Sequence, residues 1–348
     1  MKNWQKLKLS QEFKDKLLIR EQVFDGIREF FKQDGFHEVE TPLMVKYPGT
    51  EPYLEVFETK IVDDQKNQQQ AFLLTSPEYA MKKLIAGGLG NIFQICKSFR
   101  NGEGLSERHN PEFTILEWYR TNASYLEIMS DFENLLLFLH QKVHRTNEHF
   151  LTYQGKQYDL SPPFTRISVA KAFDQYLGIS DQELLDKVAL KKVAQEKGYQ
   201  VNDQTDWESI YNQLFLNEIE PQLTNQEKPV ILYDYPASQA ALSKRKIDNP
   251  NYAERFEVYL AGLELGNAFS ELTDATEQQQ RFEEELALRK KLGKTEYGLD
   301  RDYLAALKAG LPPTGGIAVG VDRLVMLMAD AIDIKDIIFF PATEVFSS

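Results

Sequence analysis

FRNGEGLSERHNPEFTILEWY, Phe99 to Tyr119, decides the fold of this 348-residue chain. It reads as a strand ending at Phe99–Arg100, then a polar loop carrying Glu103, Arg108, His109 and Asn110. After Pro111 comes a second strand, in which Phe113, Ile115, Glu117 and Tyr119 fall at every second position. Side chains two apart share one face of a strand, so this strand has two unlike faces. An arginine at a strand end, with a second basic group in the facing loop, suits a polyphosphate or a carboxylate, since guanidinium binds both through paired hydrogen bonds. Alone, the stretch reads equally as a hairpin with a solvated charged loop.

A second stretch decides between these readings. Gly315–Leu327, GGIAVGVDRLVML, is a short glycine-punctuated strand running into an amphipathic helix with Arg323 near its start. Glycines let a ligand approach the backbone closely, and a helix N-terminus with a guanidinium suits a phosphate. Between the two stretches, Glu257, Glu264 and Glu271 recur every seven residues. That spacing would form one stripe on a helix. Phe256, Val258, Leu260 and Leu263, interrupted by Gly262, instead indicate two strands joined by a turn. Clustered carboxylates repel one another and take up protons unless a cation compensates. Magnesium carried with nucleotide phosphates is the natural cation for such a group.

Together, Phe99–Tyr119 and Gly315–Leu327 are similar to motifs two and three of the class II aminoacyl-tRNA synthetases. Ser76-Pro77-Glu78, the final Gly320-Val321-Asp322-Arg323 and Arg255–Asp274 (RFEVYLAGLELGNAFSELTD) resemble lysyl-tRNA synthetases in particular. The similarity runs from about residue 15 to residue 341. It implies an α+β fold, the class II catalytic core, with an antiparallel sheet flanked by helices. Glu12–Gly35, with Phe13, Leu17, Phe24, Ile27 and Phe31 at helical spacing, predicts a helix ended by Gly35. Val39–Leu43 resembles motif one, which builds a homodimer interface in the family. The core begins almost at once, so no anticodon-binding domain is expected before it. This anatomy resembles the lysyl-tRNA synthetase paralogues that modify a lysine of elongation factor P.

The resemblance also assigns roles. Arg100 and Arg323 would be catalytic, with Arg100 on the ATP α-phosphate and the substrate carboxylate and Arg323 on the γ-phosphate side. Asn101, Glu103, Asn110, Phe113, Glu264, Leu265 and Gly320 would complete the ATP site, with Phe113 stacked on adenine. Glu257 and Glu264 would hold Mg²⁺. Ser76, Pro77 and Glu78 would meet the substrate amino group, and Tyr119 and Glu271 its distal ammonium, with Asn267 and Ala318 nearby. Ser76 can also cap a helix. The expected reaction activates (R)-β-lysine or lysine as an adenylate and passes it to elongation factor P, forming an amide and releasing AMP and pyrophosphate. No residue is required as a general base; His109 reads as a polar contact. The alternatives are a short lysyl-tRNA synthetase and a catalytically dead binding paralogue. Ala318 stands where lysyl-tRNA synthetases carry glycine and the elongation factor P ligases carry alanine. Gly102 is an insertion in the motif-two loop, since the family places Glu directly after Asn.

Bulk properties agree with a single catalytic domain over residues 1–348. Hydrophobic content of 42% suffices for a core, and no apolar run approaches the roughly 18 residues of a membrane span. The leader MKNWQKLKLS has no apolar region of a secretory signal, so a cytoplasmic location is expected. Cys96 is the only cysteine, which excludes an intrachain disulfide. The 53 acidic residues exceed the 40 basic ones, giving a net charge of −13. Nucleic-acid binders usually present a basic face, so no tRNA partner is expected. Lys244-Arg245-Lys246 and Arg289-Lys290-Lys291 read as solvated surface. Residues 122–228 carry no motif and read as a helical insertion between motifs two and three, with helices over Tyr125–His140, Ile167–Leu177, Asp181–Lys197 and Asp206–Leu223. Asp63–Gln70 reads as a hairpin tip.

Overall fold

The structure is a computed structural model that describes residues 1–346. Its centre is an eight-stranded sheet. In chain order the strands are β1 (His37–Glu38), β2 (Ile92–Phe99), β3 (Glu112–Thr121), β4 (Thr165–Ser168), β5 (Val230–Pro236), β6 (Tyr252–Leu260), β7 (Leu263–Ser270) and β8 (Thr314–Gly320). In space they run β1-β2-β3-β8-β7-β6-β5-β4. Only the outermost pairs, β1–β2 and β4–β5, are parallel. The expected mostly antiparallel α+β core is therefore present.

The alternation in β3 sorts the sheet into two faces. Leu116 and Trp118 join Ile317 and Val319 of β8, Ala268 of β7 and Phe256 and Val258 of β6 in the main core. Helices α1 (Gln11–Gln33), α3 (Tyr125–His144) and α6 (Val321–Met328) cover that face. The intervening residues point the other way. The strand pairing places Gln94, Glu117, Ala318, Asn267 and Glu257 in one row across five strands. Two flanking layers leave the middle of this second face open. At one end, α2 (Glu78–Ala86) and α5 (Arg301–Gly310) pack around Met81, Tyr119 and Tyr303, with Phe282 of α4 (Ala275–Lys291). At the other, the helices between Val169 and Thr224 pack on β5 and β6.

Several boundaries differ from the expectations for physical reasons. Helix α3 runs to His144 rather than His140. It ends on Arg145, in the left-handed region with φ 51°, a stop that no glycine announces. Ile167 and Ser168 belong to β4, not to a helix, because they extend the sheet beside β5; the helix begins at Val169 with Ser168 as its cap. The segment 122–228 is thus not uniformly helical, since it also holds the hairpin Phe150–Tyr153/Lys156–Asp159. The turn at 63–67 joins the strands Glu58–Val62 and Gln68–Leu73. α1 ends at Gln33, and Gly35 follows with φ +76°, as expected of a stop signal. Among the described residues no helix is long and apolar enough to cross a membrane.

Candidate active site

A cavity of about 610 Å³ opens over the middle of the sheet. Its floor includes Phe113, Ala318, Gly320, Asn267 and Leu265, and its walls carry Arg100, Glu103, Arg108, His109, Asn110 and Arg323 at one side and Ser76 and Glu78 at another. The structure therefore brings together side chains more than two hundred residues apart in sequence, most of those expected of a site.

At the basic side, Arg100 lies with its guanidinium carbon 5.2 Å from the Phe113 ring centre and its Nη1 3.7 Å from Glu103 Oε1. Gly102 adopts φ +75°, where a side chain would be strained, and it turns the loop so that Glu103 reaches Arg100. The loop is pinned at three points. Arg108 donates to the Gly262 carbonyl at 2.6 Å, Ile334 N donates to the Glu107 carbonyl at 2.7 Å, and Ala342 N donates to Asn110 Oδ1 at 2.9 Å. Asn110 thus has a structural task besides facing the cavity. Asn101 is exposed and pairs with Glu55 in a β-bridge. Arg323 donates to the Glu264 carbonyl at 2.5 Å and lies 3.5 Å from His109 Nε2. Burial, then the Arg323 charge, hold His109 below the usual imidazole range, so it is neutral beside a cation.

Arg323 is held in place by its neighbour. Asp322, 3% exposed, accepts from Arg20 Nη1 of α1 at 2.5 Å and from Thr114 N of β3 at 2.7 Å. Arg20 Nη2 also donates to Thr114 Oγ1. The start of α6 is thereby clamped to β3 and α1.

The opposite side is acidic. Ser76 Oγ accepts from Glu78 N at 3.1 Å, capping the start of α2, and donates to Glu117 Oε1 at 2.6 Å. Tyr119 Oη donates to Glu117 Oε2. Glu271 lies just past β7, 2% exposed, against Gly316 and Tyr119. Burial, then the Glu78 charge, push Glu117 up to about 8. Burial likewise pushes Glu271 up to about 8, with Lys82 as the opposing influence. Glu78, Glu117 and Glu271 thus form a cluster short of positive charge. The sequence reading missed Glu117 and Lys82. Glu117 sits inside an apolar run, and only the strand pairing shows which face it takes; Lys82 lies on α2, and only the packing of that helix shows that it is buried.

Tyr119 and Glu271 are buried rather than on the open cavity wall. Pro77 is buried beneath Ser76 at the start of α2. Glu257 departs from the role implied for it. Its Oε1 accepts from Arg255 at 2.6 Å, and its Oε2 accepts from the Tyr235 and Tyr259 hydroxyls. Both oxygens are engaged and its charge is matched by Arg255, so Glu257 does not fit a metal ligand in this arrangement. Glu264 fits better. Its carboxylate faces the cavity, and burial and the Glu257 charge raise it to about 7. No three His, Cys, Asp or Glu side chains among the described residues form a metal-holding group. One further expectation needs correction. Arg289, placed on the surface by its neighbours Lys290 and Lys291, is 1% exposed and donates to the carbonyls of Glu51, Leu54 and Thr295. Cys96 is half-buried, and burial pushes its thiol up to about 12, leaving it without a thiolate's reactivity.

The sequence profile of the class II tRNA synthetases (D, K and N) matches residues 2–344. The chain belongs to this family. It is 37% identical over 336 residues to the lysine–tRNA ligase of Carboxydothermus hydrogenoformans, covering 96% of this chain and 66% of that protein. The chain thus spans just under two thirds of the length of such ligases. It is 40% identical over 327 residues to the elongation factor P–(R)-β-lysine ligase of Salmonella paratyphi A, covering 93% of this chain and 94% of that protein. The ligase of the same name from Avibacterium paragallinarum is 38% identical over 326 residues, with the same coverage.

Proposed function

We propose that this protein activates (R)-β-lysine, or lysine, with ATP and transfers it to the side-chain amine of a lysine of elongation factor P. The observation that carries the reading is the polarity of one cavity: guanidinium groups at one side and a carboxylate cluster at the other, as a substrate with a carboxylate and two ammonium groups requires. The near-complete mutual coverage with the elongation factor P ligases supports the acceptor.

A substrate carboxylate oxygen attacks the ATP α-phosphorus, and the bond to the β-phosphate bridge breaks as pyrophosphate leaves. The acceptor amine then attacks the adenylate carbonyl, forming the amide as AMP departs. Arg100 meets the carboxylate and the α-phosphate, where negative charge grows, and Arg323 holds the distal phosphates; preorganised cations stabilise that charge. Phe113, Leu265 and Gly320 form the nucleotide floor, and Asn101, Glu103 and Asn110 border it. Ser76, Glu78 and Asn267 face the substrate amino group, with Tyr119 and Glu271 beyond. Catalysis rests on positioning and charge neutralisation rather than on a general base. Magnesium bound with ATP would neutralise its phosphates, and Glu264 would be the carboxylate to hold it. The reading extends to a cytoplasmic homodimer joined through the Val39–Leu43 region, where Leu43 and Met44 are exposed.

The test offers the purified protein ATP, Mg²⁺ and either (R)-β-lysine or α-lysine, with elongation factor P and tRNA(Lys) as parallel acceptors read by mass. A mass gain on elongation factor P, larger with (R)-β-lysine, is expected. Charged tRNA without modified protein would replace this reading with a minimal lysyl-tRNA synthetase.

A further inference from the structure

The acidic cluster contains a cation that the proposed chemistry does not use. Lys82 lies one turn after Glu78 on α2 and is 1% exposed. Its Nζ lies 2.5 Å from Glu78 Oε1, contacts Glu271 Oε2, and stands 5.9 Å from the centre of the Tyr119 ring. It also interacts with the Tyr303 hydroxyl of α5. An ammonium has three N–H donors, and two of them are taken by the carboxylates of Glu78 and Glu271. An unpaired buried ammonium is costly. Here Glu271 and Glu78 outweigh the burial, and Lys82 stays charged well above the ordinary lysine range.

The arrangement does more than hold α2 to the segment after β7. Lys82 engages Oε1 of Glu78 and Oε2 of Glu271, so the other oxygen of each carboxylate stays out of its grip. Glu271 Oε1 has no hydrogen-bond partner and faces the bare Cα of Gly316, where a Cβ would stand 2.4 Å away. Glu78 lines the cavity. Against Lys82 stand three carboxylates, Glu78, Glu117 and Glu271. One built-in ammonium cannot match all three acids, so Glu117 and Glu271 hold their protons until further positive charge arrives, as a diamino acid brings it.

We propose that Lys82 is a positioning residue for the amino-acid pocket: it fixes Glu78 and Glu271 through one oxygen of each, leaving the other out of its grip, and sets a charge deficit that a diammonium substrate fills. This rests on the proposed activation of a lysine-type substrate.

The test measures amino-acid-dependent ATP–pyrophosphate exchange across pH for the wild type, Lys82→Met and Lys82→Arg, with thermal melting alongside. The groups facing Lys82 are Glu78 of α2, Glu117 and Tyr119 of β3, Glu271 after β7 and Tyr303 of α5. Removing a neighbouring cation raises a carboxylate's pKa by about 1–3 units, so the Lys82→Met profile should move to higher pH by that order. Its KM for the diamino acid should rise about ten- to a hundredfold, the equivalent of losing one charged hydrogen bond, with KM for ATP unchanged. Lys82→Arg keeps the charge with a planar fork that cannot copy the bridge. It should keep the wild-type pH profile with a raised amino-acid KM, and it carries the test if Lys82→Met does not fold. An unchanged amino-acid KM in a folded variant overturns the proposal, as does a parallel rise in both KM values. A wild type that activates no diamino acid removes the function reading, and this inference with it.

Discussion

Single atoms would decide what the proposed amino-acid pocket accepts. Ala318 sits in the row between Glu117 and Asn267, so its methyl group is part of the pocket floor. Ala318→Gly is expected to raise α-lysine activation relative to (R)-β-lysine by an amount worth about 1–3 kcal/mol; competition between the two substrates in adenylate formation measures it, and unchanged selectivity refutes it. Gly316 leaves no room for a methyl, because a Cβ there would meet Glu271 Oε1 and the Tyr119 ring at 2.4 Å. Gly316→Ala should cost about 1–3 kcal/mol of stability through overpacking and suppress amino-acid activation while ATP binding, followed by calorimetry, persists. The motif residues were legible in the sequence because their types are unusual in company. Lys82, Glu117 and Arg289 were not, because a charged residue in a chain does not show whether distant segments will bury it.

Among the elements, the junction of β8 and α6 has the most to lose. Arg323 follows Asp322, whose carboxylate joins α6 to α1 through Arg20 and to β3 through the Thr114 amide. Breaking a buried ion pair on one side leaves an uncompensated charge and costs about 3–5 kcal/mol. Asp322→Ala should therefore lower the melting temperature sharply and weaken ATP binding; a variant that melts like the wild type would contradict the clamp. The hairpins of motif two and of β6–β7 were legible from period-2 alternation and from Gly262, which turns with φ +80°. The 122–228 segment was not, because a short, largely polar stretch such as Thr165–Ser168 becomes a strand only when β5 arrives beside it.

The molecule as a whole carries a pH signature. Glu117 and Glu271 are raised from 4.5 to about 8, and Glu285 to about 7. Acids raised on folding bind protons more tightly in the folded than in the unfolded state. Their contribution is complete below the unfolded value and is lost as pH rises through the folded one. The ligand-free protein should thus lose melting temperature as pH climbs from about 5 to about 8, and a bound diamino acid should flatten the slope by supplying the missing positive charge; scanning calorimetry across that range checks both. A final consequence lies in the two-faced strands. Moving β3 on by one residue would send Leu116 and Trp118 to the catalytic side and Glu117 and Tyr119 into the interior. Descent can therefore lengthen this protein between its strands but not within them: its history of gains and deletions should be written in the loops.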